Sequence, residues 1–258
     1  MEAAGSRGEL TWLREQLYGA ATKQMLEAAR LQPGDHVLDI AAGTGDQSRM
    51  AAKLVGLEGN VLATDISEEV LTVATHFAEQ EGYSNITTRV ANAEQLDLAD
   101  NGYDAVISRF GLMLIGNQQQ ALAEMRRVLK PAGRLAAIVW SLAEHNPLFA
   151  MYVDVIEKPV EAKRLGFFSL ADAAHFAGVL KVAGFQEVLL HTITISFHFP
   201  SFDLLRAYWG PLFEEALAKL DPEQAQEVVE QLRKSVRPFE GSEGIAAPGE
   251  VLLGVGTK

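Results

Sequence analysis

The sequence predicts an α/β protein whose strands form a doubly wound parallel sheet. Three observations predict it. Between His36 and Trp140, short apolar runs alternate with amphipathic stretches, a rhythm that pairs strands in parallel with helices on both faces. The first apolar run ends in the glycine-rich turn Gly43-Thr44-Gly45, where a parallel strand hands the chain to a helix. The hydrophobic share of 48% over 258 residues is enough to bury a substantial core.

The elements follow in order. Residues 1–30 read as a helical cap, with Leu10, Leu13, Leu17, Met25, Leu26 and Ala29 at helical spacing until Pro33-Gly34 breaks it. His36–Ala41 is the first strand and Gln47–Leu54 a helix. Asn60–Thr64 is the second strand, and Ser67 caps a helix reaching Glu81 with Glu68 and Glu69 in its first turn. Ile86–Ala91 and Tyr103–Ser108 are strands. Gln118–Leu129 is a helix, stopped by Lys130-Pro131-Ala132-Gly133, and Arg134–Trp140 is the fifth strand.

Beyond Trp140 the rhythm changes. Asn146–Val160 reads as a helix, Gly166-Phe167-Phe168 as a loop, and Ser169 as the cap of a helix running to about Ala183. Glu187–Phe199 alternates as a long strand. Residues 200–239 are largely helical with breaks at Pro211 and Pro222, Gly241–Gly249 reads as a mobile loop, and Glu250–Gly256 as the final strand. The expected organisation is one domain over 1–258: cap 1–30, ligand-binding core 31–141, helical insertion and core helix 142–185, and the last two strands with a helical stretch over 186–258.

Composition excludes several functions. No cysteine is present, so disulfides, thiolate catalysis and cysteine-bound zinc are absent, in keeping with a reducing cytoplasm. Lys plus Arg is 22 and Asp plus Glu is 34, a net charge of −12, opposite to the basic footprint of nucleic-acid binding. Arg126-Arg127 reads as part of a solvated helix face. No apolar run is long enough to span a membrane, and Met1–Gly5 does not read as a secretory signal. No His, Asp and Glu cluster has metal-ligand spacing, so no metal is expected.

The chemistry concentrates in Val37-Leu38-Asp39-Ile40-Ala41-Ala42-Gly43-Thr44-Gly45-Asp46. Glycines let the backbone approach a ligand, and the helix start favours an anion; a tight structural turn would show the same pattern. Asp39 stands near the end of its strand, where a carboxylate anchors an ammonium group. Asp65 ends the next strand, 22 residues after Gly43, and an acid about 20 residues on accepts bonds from ribose hydroxyls. Asn92-Ala93-Glu94 follows the third strand beside the same crevice, where a side-chain amide and backbone groups read an adenine edge. A dinucleotide is the rival ligand. Its fingerprint needs a third glycine where this chain has Ser48, and Asp39 suits an ammonium better than a pyrophosphate.

Together with Ala63-Thr64-Asp65-Ile66-Ser67, Ala91-Asn92-Ala93-Glu94, Phe110-Gly111-Leu112 and Arg127-Val128-Leu129-Lys130-Pro131-Ala132-Gly133-Arg134-Leu135, that stretch resembles the class I methyltransferases. Within them it is similar to the quinone-biosynthesis type and its small-molecule relatives. The resemblance runs in order over residues ~31–141. It implies a Rossmann-like, seven-stranded, mostly parallel sheet and S-adenosylmethionine as cofactor, with S-adenosylhomocysteine as product. It places Ala41, Gly43, Thr44 and Gly45 around the methionine end, Asp65 on the ribose, Ile66 against the adenine face, and Asn92, Ala93 and Glu94 at the adenine edge. Arg109 falls near the sulfonium and substrate, where the family often carries serine or cysteine. The resemblance also implies an antiparallel last strand, Glu250–Gly256, beside Glu187–Phe199. It makes 200–239 a helical lid insertion, longer than the quinone methyltransferases carry.

An activated methyl donor needs an oriented acceptor and dry surroundings, and an acceptor oxygen or nitrogen also needs a base. His145, just past the fifth strand, is the candidate base, against the reading of an exposed loop histidine. His191 and His198 read as packing or solvent-facing residues. Phe149, Tyr152, Phe167, Phe168, Phe202, Tyr208, Trp209 and Phe213 either line an apolar acceptor pocket or pack the helical stretches. Trp12 and Tyr18 either close over the cofactor or pack, and Arg206 either steers an anion or faces solvent. The expectation is a cytoplasmic methyltransferase, monomeric or homodimeric. It acts on carbon or oxygen of a small-molecule methyl acceptor, with no nucleic-acid partner and no stable membrane insertion. A nucleotide-dependent oxidoreductase and a non-catalytic S-adenosylmethionine-binding protein are the rivals.

Overall fold

The computed structural model describes residues 7–160, 166–213 and 217–258. Met1–Gly5 and short parts of the expected cap, insertion and lid lie outside the described residues. In chain order the elements are α1 (Arg7–Ala28), β1 (His36–Ile40), α2 (Asp46–Val55), β2 (Asn60–Asp65), α3 (Glu68–Gln80), β3 (Ile86–Val90), β4 (Tyr103–Arg109), α4 (Gln118–Val128), β5 (Leu129–Trp140), α5 (Pro147–Val160), α6 (Ala173–Val182), β6 (Gln186–Phe199), α7 (Phe202–Trp209), α8 (Pro222–Val236), β7 (Glu240–Gly241) and β8 (Gly244–Thr257). The sheet order is β3-β2-β1-β4-β5-β8-β6, with the two-residue β7 paired to β8. Strands β1 to β5 pair in parallel, and β8 runs antiparallel to β5, Arg134 opposite Thr257 and Trp140 opposite Val251. The doubly wound sheet is thus as expected, with β7 as an additional eighth strand.

The chain divides into two compact units, and α1, β6 and β8 contribute residues to both. One unit, Ala21–Ser141 with Phe167–Ile193 and Val251–Lys258, holds the parallel strands. Val37, Leu38, Asp39 and Ile40 are buried in succession, as are Val61–Thr64 and Leu135–Trp140. Successive strand residues point to opposite faces, so unbroken burial means that both faces are covered. The covering residues include Ala51, Ala52 and Val55 of α2, Leu71, Ala74 and Ala78 of α3, Leu122 and Met125 of α4, and Phe176 and Leu180 of α6. The small residues of β8 answer that packing. A Cβ on Gly254 would lie 2.7 Å from the Phe176 ring.

The other unit comprises the described parts of Met1–Ala20, Leu142–Gly166 and Thr194–Glu250. Its core is aromatic. Trp209 is fully buried, with ring centroids 5.0 Å from Phe149, 5.3 Å from Tyr152 and Phe197, and 5.1 Å from Phe199. Burial pushes the Tyr152 hydroxyl up to about 12, against a small opposing pull from Arg206. α8 adds Val228, Leu232 and Val236 at helical spacing.

Five local readings need correction. The cap of α6 is Asp172, whose carboxylate accepts from the His175 amide at 2.7 Å; Ser169 instead donates to the Met113 carbonyl at 2.9 Å. Pro222 begins a helix, as the first residue after the capping-box residue Asp221. Gly241–Gly249 is not a loop: β7 and β8 pair, Glu240 with Ile245 and Gly241 with Gly244, and Ile245 and Ala247 are buried on alternate positions. Lys130–Gly133 lies within β5 as an irregularity, the register shifting between Tyr103 and Ala105 of the partner strand. Arg127 is not simply a solvated helix residue. It donates to the Leu96 and Leu98 carbonyls and pairs with Glu124 and Asp100, tying α4 to the segment before β4.

Candidate functional site

The carboxyl ends of β1, β2 and β4 meet in the parallel-sheet unit, the edge where open α/β sheets bind ligands. The turn after β1 places Ala41, Gly43 and Gly45 at φ 55°, 56° and 77°, all left-handed. Gly45 caps α2 in that conformation, and a Cβ there would touch the Ala74 Cβ at 3.0 Å. A Cβ on Gly43 would meet nothing within 4 Å, so the space over this residue is open. Ala41 holds its strained backbone without a glycine's freedom. What faces it explains the next turn: a Cβ on Gly111 would come 2.3 Å from the Ala41 Cβ, so the loop after β4 seats on the β1 turn only as glycine. Phe110, also left-handed at φ 63°, stacks on Trp140 with centroids 4.4 Å apart.

Asp65 joins two elements. Its Oδ2 accepts from the Gly43 amide at 3.0 Å and its Oδ1 from the Ser67 amide at 3.0 Å. The carboxylate is fixed in orientation, and each oxygen keeps acceptor capacity. Ile66, the next residue, is 76% exposed, an apolar side chain left in water beside an oriented acid. Beyond β3, the Ala91 amide donates to the Asp65 carbonyl. Asn92 is exposed; its side-chain oxygen accepts from the Glu94 amide at 2.9 Å, and Glu94 in turn accepts from the Asn117 amide at 2.9 Å. Ala93 is half-buried between them. These bonds hold the post-β3 turn at the side of the crevice that Asp65 and Ile66 occupy.

Asp39 lies deeper. It is fully buried, and its two oxygens accept from Gln47 and from Ser48, each at 2.5 Å. Burial pushes its carboxyl up to about 7, against the lowering pull of Ser48, Gln47 and the Arg109 charge. Asp39 therefore fastens the start of α2 to β1. Its neighbour Thr64 donates to the Asp39 carbonyl at 2.9 Å, joining β1 and β2. Arg109, at the end of β4, pairs with Asp46 and donates to Thr22 of α1 at 2.6 Å. A guanidinium at this edge is thus matched by an acid in the first turn of α2. Thr44 lies between, its carbonyl accepting from Arg49 and its hydroxyl 3.4 Å from Asp46.

All the expected cofactor residues lie in the parallel-sheet unit; His145 belongs to the aromatic unit. There it sits in a short 3-10 turn, Ala143–His145, half-exposed, with Nδ1 2.7 Å from the Glu250 carboxylate. Asn146, fully buried, exchanges two bonds with the Glu250 backbone, 2.9 Å each, and so fixes the acid that faces the imidazole. A ring nitrogen held by a carboxylate is the arrangement that orients a histidine base.

Sequence reasoning passed over Gln47 and Ser48 as partners of Asp39, Asp46 as the partner of Arg109, and Glu250 as the partner of His145. The first three follow the glycine turn directly in Gly45-Asp46-Gln47-Ser48. Polar residues in the first turn of a helix leaving a buried strand acid were the available signal. Glu250 lies 105 residues from His145, and no local pattern announced it.

The sequence model of the ubiE/COQ5 methyltransferase family matches residues 16–160. Over 131 residues the chain is 39% identical to the ubiquinone/menaquinone biosynthesis C-methyltransferase UbiE of Teredinibacter turnerae, covering 50% of this chain and 53% of that protein. Over 185 residues it is 34% identical to the protein of the same name from Ectopseudomonas mendocina, covering 66% of this chain and 72% of that one. The chain thus spans about half the length of the first of these relatives. Among solved structures, a SAM-dependent methyltransferase from Aquifex aeolicus shares the fold, with a TM-score of 0.56 at 22% identity over 74% of this chain and 93% of that one.

Proposed function

The chain belongs to the ubiE/COQ5 methyltransferase family, and we propose that it transfers a methyl group from S-adenosylmethionine to a carbon or oxygen of a small-molecule acceptor, leaving S-adenosylhomocysteine. The observation that carries this reading is the pairing of Asp65, oriented by the Gly43 and Ser67 amides, with the 76% exposed Ile66. An acid with spare acceptor capacity suits ribose hydroxyls, and an apolar side chain left in water suits a purine face. The open space over Gly43 suits the amino-acid end of the same ligand. The donor set therefore fits S-adenosylmethionine: Asp65 and Ile66 would hold the nucleoside, Asn92, Ala93 and Glu94 its base edge, and Ala41, Gly43, Thr44 and Gly45 the methionine end. When bound, this cofactor supplies a methyl group already activated on a sulfonium.

The protein's own task is then placement and proton management. Asp39 shapes the turn from beneath, through Gln47 and Ser48. Arg109 stands near the reacting centre with its charge answered by Asp46. His145, oriented by Glu250 through Nδ1, takes the proton of an acceptor hydroxyl on Nε2. An electron-rich carbon acceptor needs placement first and loses its proton afterwards. We read the enzyme as a cytoplasmic monomer or homodimer that does not act on nucleic acid, in keeping with its net charge of −12. Among the described residues no helix is long and apolar enough to cross a membrane.

The test has two parts. Calorimetric titration is expected to show binding of S-adenosylhomocysteine and none of NADH; the reverse would replace the methyltransferase with an oxidoreductase. Incubation with methyl-labelled S-adenosylmethionine and a metabolite extract is expected to place label in a small molecule with matching S-adenosylhomocysteine. Binding without turnover would leave a non-catalytic cofactor-binding protein.

A further inference from the structure

Arg49, in the first turn of α2, is a buried cation at the unfavourable end of its helix. A positive charge there opposes the helix dipole, and burial adds the cost of desolvation. Helix stability gives no reason for an arginine at this position, but its partners do. One terminal nitrogen donates to the Thr44 carbonyl at 3.0 Å, Nε lies 3.1 Å from the Glu81 carboxylate, and Cζ lies 5.2 Å from the centre of the Phe77 ring. Thr44 belongs to the glycine turn after β1; Phe77 lies in α3 and Glu81 just past its end. Arg49 therefore ties that turn to α3, the helix that begins beside Asp65 and Ile66.

The grip falls on one peptide unit. Arg49 takes the Thr44 carbonyl, while the Gly45 amide of the same peptide donates to the Ala42 carbonyl at 3.0 Å. The backbone amide of Arg49 takes the next carbonyl, that of Gly45, also at 3.0 Å. Gly45 is left-handed at φ 77°, and a glycine accepts the opposite sign of φ about as readily. The backbone by itself thus offers little resistance to turning the Thr44–Gly45 peptide over. Hydrogen bonds decide which edge it presents, and the one from Arg49 is charge-assisted, the stronger kind. A lysine would bring a single point charge. A guanidinium reaches Thr44 and Glu81 in different directions from one plane and lays its face toward an aromatic ring.

We propose that Arg49, oriented by Glu81, is a positioning residue that fixes the Thr44–Gly45 peptide in the setting that receives the amino-acid end of the cofactor. The proposal rests on the methyltransferase reading of the glycine turn. Arg49 acts through that peptide, so its contribution belongs to the amino-acid end of the ligand and not to the nucleoside, which is assigned to Asp65 and Ile66.

The test is calorimetric titration of the full chain with two ligands, S-adenosylhomocysteine and 5′-methylthioadenosine, which carries the nucleoside and sulfur without the amino-acid end. Arg49→Met keeps an unbranched apolar stem beside Phe77 and loses both polar contacts. It is expected to weaken S-adenosylhomocysteine at least about tenfold, the scale of one charge-assisted bond, and to leave 5′-methylthioadenosine unchanged. A merely structural role would affect the two ligands alike. Glu81→Gln, at an exposed position, is expected to show the same selective loss on a smaller scale, and it decides the matter if Arg49→Met does not fold. Unchanged S-adenosylhomocysteine affinity in the deciding variant, or an equal loss for both ligands, would overturn the proposal while the parent still binds. A parent protein that fails to bind S-adenosylhomocysteine would overturn the methyltransferase reading, and the role of Arg49 with it.

Discussion

The backbone amide of Gly43 donates to the carboxylate of Asp65 at 3.0 Å, across 22 residues of sequence. One bond thereby joins the turn after β1 to the end of β2. It sets the orientation of the acid before any ligand arrives. The Ser67 amide on the other oxygen prevents the carboxylate from turning away. An acid held in advance loses little freedom on binding, which is what makes its removal measurable.

Asp65→Ala is expected to weaken S-adenosylhomocysteine binding by about 1–3 kcal/mol, the range for polar groups left unpaired. Calorimetric titration reads it directly. Unchanged affinity would remove Asp65 from the ribose.

Gly111→Ala is expected to destabilise the fold by ~1–3 kcal/mol, as overpacking does, because its Cβ would fall 2.3 Å from the Ala41 Cβ and 3.1 Å from the Ser108 hydroxyl. Scanning calorimetry should show a drop in melting temperature of about 2–4 °C for each kcal/mol in a chain of this size. A variant melting with the parent would mean that the two turns are not in contact.

Asp39 makes a prediction with a sign. Its carboxyl is raised from 3.8 in the unfolded chain to about 7 in the fold, chiefly by burial. The fold binds that proton more tightly than the unfolded chain, so stability is full below about 4, falls as pH rises toward 7, and is level above. Asp39→Asn carries no such penalty. Its melting temperature relative to the parent should therefore climb between pH 4 and 7. A constant difference across that window would show that Asp39 stays ionised in the fold.

His145→Ala is expected to slow turnover on a hydroxyl acceptor by about 10²–10⁴-fold, the usual worth of a positioned base, and to leave cofactor affinity unchanged. Glu250→Gln should give a smaller loss, since it orients the ring without touching the acceptor. Steady-state kinetics on both variants check the pair. Turnover unaffected by His145→Ala would return the residue to a surface role.

The alternation that made the sheet legible is a local property. Val37–Ile40, Val61–Thr64 and Leu135–Val139 are buried runs because parallel strands face helices on both sides, and hydrophobic runs record that directly. Where the local signal pointed elsewhere, tertiary pairing prevailed. Gly241–Gly249 has the glycine and proline content of a loop, yet its backbone finds partners in a hairpin with β7. Pro131 and Gly133 signalled the end of a helix, and the strand that follows absorbs them as an irregularity.

The sequence by itself determined the fold class, the glycine turn and the acids Asp39 and Asp65, because periodicity and turn chemistry act over a few residues. Tertiary structure alone decided what each acid does. Asp39 is the last but one residue of β1 and Asp65 ends the neighbouring β2, two register positions further along, and one is sealed under Gln47 and Ser48 while the other is held open beside Ile66. The difference is solvent access. It depends on which side chains fold over each carboxylate: Gln47 and Ser48, just past the glycine turn, close over Asp39, whereas the acid that faces His145, Glu250, lies 105 residues away and only the fold brings it there.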